Sequence, residues 1–323
     1  MSLIIAGDIG GTKTNFALYN YSDQSLHCIN QQTYSSHDFG QFNDILVHFI
    51  TNSGITHIDV LTLSVAGPII NNACQTTNLP WHISTQSIQH RIKVNQVVLL
   101  NDLQATGYGL LNADAADLVQ INPKAEYQTA NQAIISIGTG LGEGFLFWDG
   151  KQHLPCGTEG GHSDFAPLNE SDLALWQHFK NKFPAHLSYE RLLSGPGIAL
   201  LYDYVCQQHQ LENKAPEIAT SAWITTHAIN HSDELSVECM TIFIRILAAE
   251  AANLCLKTMA TGGLYLTGGI APKILPLFTQ ARFMDHFIEK GRFKDMLSSV
   301  PVWLNQNQRT PLEGALAQGI KLL

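Results

Sequence analysis

Short apolar runs broken by glycine set the rhythm of this chain. Leu3 to Ala6 is continuously apolar, Asn15 to Tyr19 alternates, and residues 3–33 read as three strands. The stretch Gly7-Asp8-Ile9-Gly10-Gly11-Thr12-Lys13-Thr14 joins the first two, and Asn20-Tyr21-Ser22-Asp23 reads as the second turn. Phe42, Ile45, Leu46, Phe49 and Ile50 recur at helical spacing and predict a helix over 39–51. Val60 to Val65 and the apolar run Val97 to Leu100 read as buried strands. The second ends at Asn101-Asp102 and passes into a helix over 103–111.

The same design then starts again. Ile134 to Ile137 is a strand, Gly138-Thr139-Gly140-Leu141-Gly142-Glu143-Gly144 a glycine turn, and Phe145 to Trp148 the returning strand. Helices are expected over 170–183 and 197–208, and a long one over 234–259 whose apolar positions wrap most of its surface, as in a buried core helix. Leu264 to Thr267 is a strand leading into Gly268-Gly269, and a helix begins near Pro272. Residues 300–303 form a short strand and 312–322 the last helix. Strands alternating with helices place the chain in the α/β class.

The first glycine turn carries the candidate chemistry. Gly10 and Gly11 let a ligand approach the main chain, and the loop's N–H groups suit an anionic oxygen, phosphate foremost. Thr12 and Thr14 add hydroxyls and Lys13 a charge. Asp8 would repel bare phosphate, which points to an intervening cation; Mg²⁺ is commonly held by one or two carboxylates, phosphate oxygens and water. The spacing is neither a Walker A loop nor a dinucleotide fingerprint, because a strand follows rather than a helix. Two such hairpins, one in each half, can hold one phosphate chain from both sides. Each can equally be a tight glycine turn with nothing bound.

Composition narrows the class. With 323 residues the chain is long enough for two domains, and 45% hydrophobic against 14% charged residues permits full cores. A net charge of −9 is the wrong sign for a nucleic-acid binder. Cys28, Cys74, Cys156, Cys206, Cys239 and Cys255 form no C-x-x-C pair, which argues against structural zinc and suits a reducing compartment. Asp8 interrupts any leader-like run, and Glu250 breaks the longest apolar run, Ile246 to Leu256. These features predict a cytoplasmic chain with no membrane partner.

Taken together the motifs resemble the bacterial glucokinases of the actin-like ATPase superfamily. GDIGGTKT and ISIGTGLGEG match that family's two phosphate motifs, and LTGGIAP its adenosine motif. LNDLQATGYG, EGGHSDFAP and YERLLSGPG match the sugar-site motifs, and EKGRF, VPVWL and EGALAQG also fit, in the expected order over nearly the whole chain. His162 is followed by Ser163-Asp164-Phe165 and not by the cysteine-rich zinc motif of the related ROK kinases and repressors. Lys13 stands where many glucokinases carry asparagine.

The resemblance implies the actin-like (ribonuclease H-like) fold: two α/β domains with a central cleft, the smaller from residues 1–110 plus 304–323, the larger from 111–303. It implies ATP and Mg²⁺ as cofactors, glucose as substrate, transfer to the sugar's 6-hydroxyl, and a homodimer. Asp102, at the end of an apolar strand, is the expected general base; an ordinary Asn-Asp helix cap is the alternative. Asn101, Asn78, Glu159, His162 and Glu190 are expected around the sugar, with Thr77 nearby and Glu190 at the anomeric end. Glu190 read alone could be an exposed helix charge beside Arg191, and the spacing of Glu159, His162 and Asp164 fits no metal-ligand signature. ATP falls to Asp8, Gly10, Gly11, Thr12 and Lys13, to Gly138, Thr139 and Gly140, and to Gly268 and Gly269, which also suit a plain strand-to-helix turn. Asp8 would hold Mg²⁺ through water. Open alternatives are another hexose, polyphosphate or ADP as donor, and a sugar-sensing regulator. Against the regulator, the first hairpin begins at residue 3, where no DNA-binding domain is expected to precede it. A chaperone-like or cytoskeletal ATPase would lack the EGGH and YER segments.

Overall fold

A computed structural model of the chain describes residues 2–76, 79–211 and 219–323. The contacts divide into two compact units: residues 1–114, 155–157 and 309–323, and residues 115–154 and 158–308.

The first unit is built on a sheet of strands β1 (Ser2–Ile9), β2 (Lys13–Ser22), β3 (Ser25–Ser35), β4 (Ile58–Val65) and β7 (Val94–Asn101), in the order β3-β2-β1-β4-β7. A separate pair, β5 (Ala73–Gln75) and β6 (His82–Ser84), lies between β4 and β7 in sequence. β1 and β2 are antiparallel, whereas β4 runs parallel to β1 and β7 parallel to β4. The turn after β2 falls at Asp23 and Gln24, both with positive φ (51° and 61°), so the strand outlasts the turn expected at Asn20–Asp23. One sheet face buries Phe16, Leu18 and Leu63 against Phe42, Ile45 and Phe49 of α1 (Phe42–Asn52). The other buries Ile4, Ala6 and Ala17 against Leu312, Ala315 and Leu316 of the C-terminal helix (Thr310–Lys321). Helix α2 (Thr85–Arg91) is capped by Ser84, and α3 (Asp102–Leu110) follows β7 without a break.

The second unit repeats the topology. Its sheet runs β11 (His153–Thr158), β10 (Leu141–Trp148), β9 (Gln132–Ile137), β12 (Gly263–Thr267), β13 (Val302–Asn305), β8 (Leu118–Gln120). Again an antiparallel hairpin, β9–β10, is joined on its β9 side by a parallel strand, β12. The boundary expected at 303/304 would cut β13, which pairs with β12 and β8 in this sheet. Helices α4 (Glu170–Lys182), α5 (Tyr189–Leu192), α6 (Gly195–Gln208), α7 (Ser221–Ile229) and α8 (Glu234–Thr258) follow, then α9 (Leu275–Gln280), α10 (Phe283–Phe287) and α11 (Lys294–Ser298). α8 starts at an Asp233 cap, ends at Met259 with φ 49°, and contributes Phe243, Ile244, Leu247 and Ala251 to the core. Among the described residues it is the one helix long and apolar enough to span a bilayer, and it lies mostly inside the protein. Near Pro272 a short 3-10 turn (Ala271–Ile274) precedes α9, in place of one continuous helix.

Candidate active site

The first glycine turn is braced from beneath. Gly10 N–H donates to the Lys13 carbonyl (3.0 Å) and closes the loop. Ser36, fully buried and not singled out by the sequence, ties it down: its Oγ donates to the Gly10 carbonyl (2.9 Å) and its N–H to the Thr12 carbonyl (3.0 Å). Thr14 Oγ1 completes the chain at 3.0 Å from Ser36 Oγ. With those carbonyls engaged, the outward-facing groups are donors. Among the described residues the amides of Gly11 and Thr12 meet no protein acceptor, and the Thr12 and Lys13 side chains are exposed. This is a donor set for a phosphate oxygen.

Asp8, at the end of β1, accepts from Ser64 Oγ on β4 (3.1 Å) and lies 3.5 Å from Asn15 Nδ2. Burial pushes its carboxyl above the ordinary range, while the contacts to Ser64 and Asn15 oppose the rise. A desolvated carboxylate among neutral partners gains from a cation. Among the described residues no three His, Cys, Asp or Glu side chains converge on one point. A lone carboxylate such as Asp8, completed by water and phosphate oxygens, is a set that fits Mg²⁺.

Asp102 is the first residue of α3. Asn101 is its N-cap: Asn101 Oδ1 accepts from Leu103 N–H (2.9 Å), and Gln104 reaches back to the Asn101 amide (3.3 Å) in a capping box. Asp102 Oδ1 also accepts from Leu103 N–H (3.0 Å). The cap reading and the base reading thus fall on adjacent residues, with the cap on Asn101 and the carboxylate beside it. Asn101 Nδ2 donates to the Gly67 carbonyl (3.1 Å), so its amide is partly committed to the scaffold and keeps one N–H and one lone pair for a ligand. A Cβ on Gly157 would sit 2.5 Å from Asn101 Oδ1, which explains glycine there. Asn78 and Thr77 lie outside the described residues.

In the second unit the expected sugar and phosphate residues meet. Glu190, at the start of α5, accepts the Leu141 N–H at Oε2 (3.0 Å), directly after the Gly138–Gly140 turn. It lies so near Gly140 that a Cβ there would collide with it. Its other oxygen stands 3.9 Å from His162 Nδ1, and His162 Nε2 is 3.9 Å from Glu159 Oε2. His162 is flanked by two carboxylates that do not bond it directly, since 3.9 Å is too long. Donors and acceptors alternate there at a spacing that a sugar's hydroxyls can fill. Asp164, the third group of the metal alternative, pairs instead with His186 (3.1 Å). His162 and Glu190 also border a cavity of about 320 Å³ whose walls include Lys182, Phe183, His186 and Arg191.

The second glycine turn is fixed by contacts the sequence did not disclose. Gly138 N–H donates to the Gly140 carbonyl, and the Gly138 carbonyl accepts from Gly195, the first residue of α6 (2.9 Å each). Thr139 is exposed at the tip. α6, capped by Ser194, therefore begins at this loop, and a helix N-terminus favours an anion there. Gly268 has φ +92°, and a Cβ would strike the backbone of Ile137, so the protein's own packing demands this glycine. Gly269 faces open space and is the position that leaves the main chain accessible.

Comparison with known proteins places the chain in a family. The glucokinase family model matches residues 5–320. A curated glucokinase of Nostoc sp. is 37% identical over 336 residues, covering 98% of each chain. The crystal structure of a glucokinase from an Antarctic psychrotroph superposes with a TM-score of 0.84 at 29% identity, covering 99% of both chains. A ROK family glucokinase from Streptomyces griseus, solved with glucose and AMPPNP, shares the fold with a TM-score of 0.67 at 16% identity over 99% of this chain and all of that one.

Proposed function

Since this chain belongs to the glucokinase family, we propose that its residues divide the transfer of the ATP γ-phosphoryl group to the 6-hydroxyl of glucose in the following way. The fold is the actin-like ATPase fold, and the products are glucose 6-phosphate and ADP. Asp102 accepts the proton of the 6-hydroxyl as its oxygen attacks the γ-phosphorus. Glu159, His162 and Glu190 hold the sugar hydroxyls, with Asn101 adding one contact while capping the helix that carries Asp102. The amides of Gly11 and Thr12 and the turn Gly138–Gly140 hold phosphate oxygens, helped by Lys13 and Thr139. Gly269 gives the nucleoside room against the main chain, and Gly268 shapes that turn. Asp8 would hold Mg²⁺ through water, and the ion would neutralise charge building on the phosphates.

One observation carries this reading. Glu190 accepts from Leu141 N–H at the glycine turn of the phosphate motif and stands 3.9 Å from the sugar-set residue His162. A chaperone-like ATPase on the same fold has no use for that link. The test is ADP release over a panel of hexoses with ATP, ADP or polyphosphate as donor. Glucose with ATP is expected to dominate, and activity without nucleotide, or nucleotide hydrolysis indifferent to sugar, would refute it. Stripping divalent ions with EDTA is expected to abolish turnover and added Mg²⁺ to restore it. A homodimer in the cytoplasm completes the proposal on the strength of the resemblance; a monomer in sedimentation equilibrium would remove the dimer.

A further inference from the structure

Behind the sugar turn lies a carboxyl group that none of these steps uses. Glu143, on β10, is 1% exposed, and its Oε1 meets no hydrogen-bond partner among the described residues. Its Oε2 rests against Gly160, leaving no room for a Cβ there. Thr158 Oγ1 stitches the two together: it donates to the Glu143 carbonyl (3.0 Å) and accepts from Gly160 N–H (3.0 Å). Gly161 lies against the carbonyl of Leu141, whose N–H holds Glu190. One strand thus supports Glu159–His162 from behind and Glu190 from the side.

A second carboxylate, Glu250 of α8, shares this interior and is fully buried. It takes the available donors: Lys257 Nζ (3.1 Å) and Asn253 Nδ2 (2.8 Å). Lys290 Nζ is occupied by Asn253 Oδ1 (2.7 Å), and the Tyr189 hydroxyl of α5 faces Glu250. Glu143 thus sits in a desolvated space whose cation, Lys257, is bonded to Glu250 and not to it. Burial first, then repulsion from Glu250, against the pull of Lys257, push the Glu143 carboxyl up to about 8.

We propose that Glu143 is a positioning residue for the sugar site, whose neutral carboxyl supports the Glu159–His162 turn and whose ionisation loosens the hold on glucose. An ionised carboxylate beneath Gly160 needs donors, and the nearest are the turn's own amides and entering water. Either displaces His162. The inference rests on assigning that turn to glucose.

The test compares wild type with Glu143→Gln, an uncharged isostere, by measuring KM for glucose and for ATP from about pH 6 to about pH 9. In wild type the glucose KM is expected to rise about tenfold one pH unit above the titration, as the neutral fraction falls to about a tenth, while the ATP KM does not follow. In Glu143→Gln the glucose KM is expected to be flat. The same alkaline rise in the variant, or an equal rise for ATP in wild type, overturns the proposal. Infrared difference spectra of wild type need no variant: a protonated-carboxyl band should vanish over the range in which glucose affinity falls, and its absence at neutral pH refutes the idea. His162→Ala separates the two levels. If it leaves glucose affinity intact, the sugar assignment fails; if it weakens glucose binding while Glu143→Gln keeps the alkaline rise, the Glu143 role alone fails.

Discussion

The proposed base, Asp102, is one carboxylate beside a capped helix start. Asp102→Asn keeps the shape and the Leu103 contact but cannot take a proton. General bases contribute about 10²–10⁴-fold, so kcat should fall on that scale with glucose binding retained. Near-wild-type turnover in a stopped assay would reject the role. His162 stands between two carboxylates, 3.9 Å from each. If it holds the sugar as proposed, removing it leaves hydroxyls without a partner, at about 1–3 kcal/mol apiece. His162→Ala should therefore weaken glucose binding by calorimetry and leave ATP affinity within a few-fold; equal losses for both ligands would contradict the assignment.

Two elements set these residues in place. β10 leaves the Gly138–Gly140 turn, offers Leu141 N–H to Glu190, and backs the Glu159–His162 turn with Glu143. α3 begins at Asp102 and is clamped by the C-terminal helix at glycines: a Cβ on Gly314 would collide with the Ala105 carbonyl and sit 2.6 Å from Gly109 N, and one on Gly109 would strike Thr310. Gly314→Ala should force the helices apart, with overpacking costing about 1–3 kcal/mol in urea unfolding. Because α3 carries Asp102, kcat should drop along with stability, and misplacement of about 1 Å can lose about 100-fold. A variant with unchanged unfolding midpoint would show that the helices have slack.

Across the whole molecule, each unit runs an antiparallel hairpin with a glycine turn, flanked by a parallel strand, so both halves place a glycine loop at a strand end. The interior of the second unit also ties stability to pH. Glu143 has its carboxyl raised from an ordinary 4.5 to about 8. Below the lower value both folded and unfolded chains hold the proton, and its contribution is complete. As pH rises through this window the unfolded chain releases the proton first, so stability falls until the folded group also ionises. Asp8 is raised as well and acts in the same sense, beginning from its ordinary 3.8. Thermal melts should show Tm declining from about pH 5 to about pH 8, and Glu143→Gln should flatten that decline. An identical slope in the variant would mean Glu143 is ionised throughout.

The sequence by itself determined the elements and the family, because both live in local patterns. The hairpins around Gly10–Gly11 and Gly138–Gly140, the α8 core helix and the strand ending at Asn101 are legible from apolar period and glycine placement. Their motifs carry the reaction type. Local spacing carries nothing about partners far along the chain. That Ser36 holds the first loop, that Gly195 and α6 meet the second, that Asn101 rather than Asp102 caps α3, and that Glu190 reaches Leu141 are contacts between residues 22 to 57 positions apart or choices between neighbours. The short strands β8 and β11 escaped notice for the same reason: each is defined by its pairing, not by its own pattern. Glu143 shows the difference most plainly, since a glutamate in a glycine-rich strand looks solvated until burial beside Glu250 decides its charge.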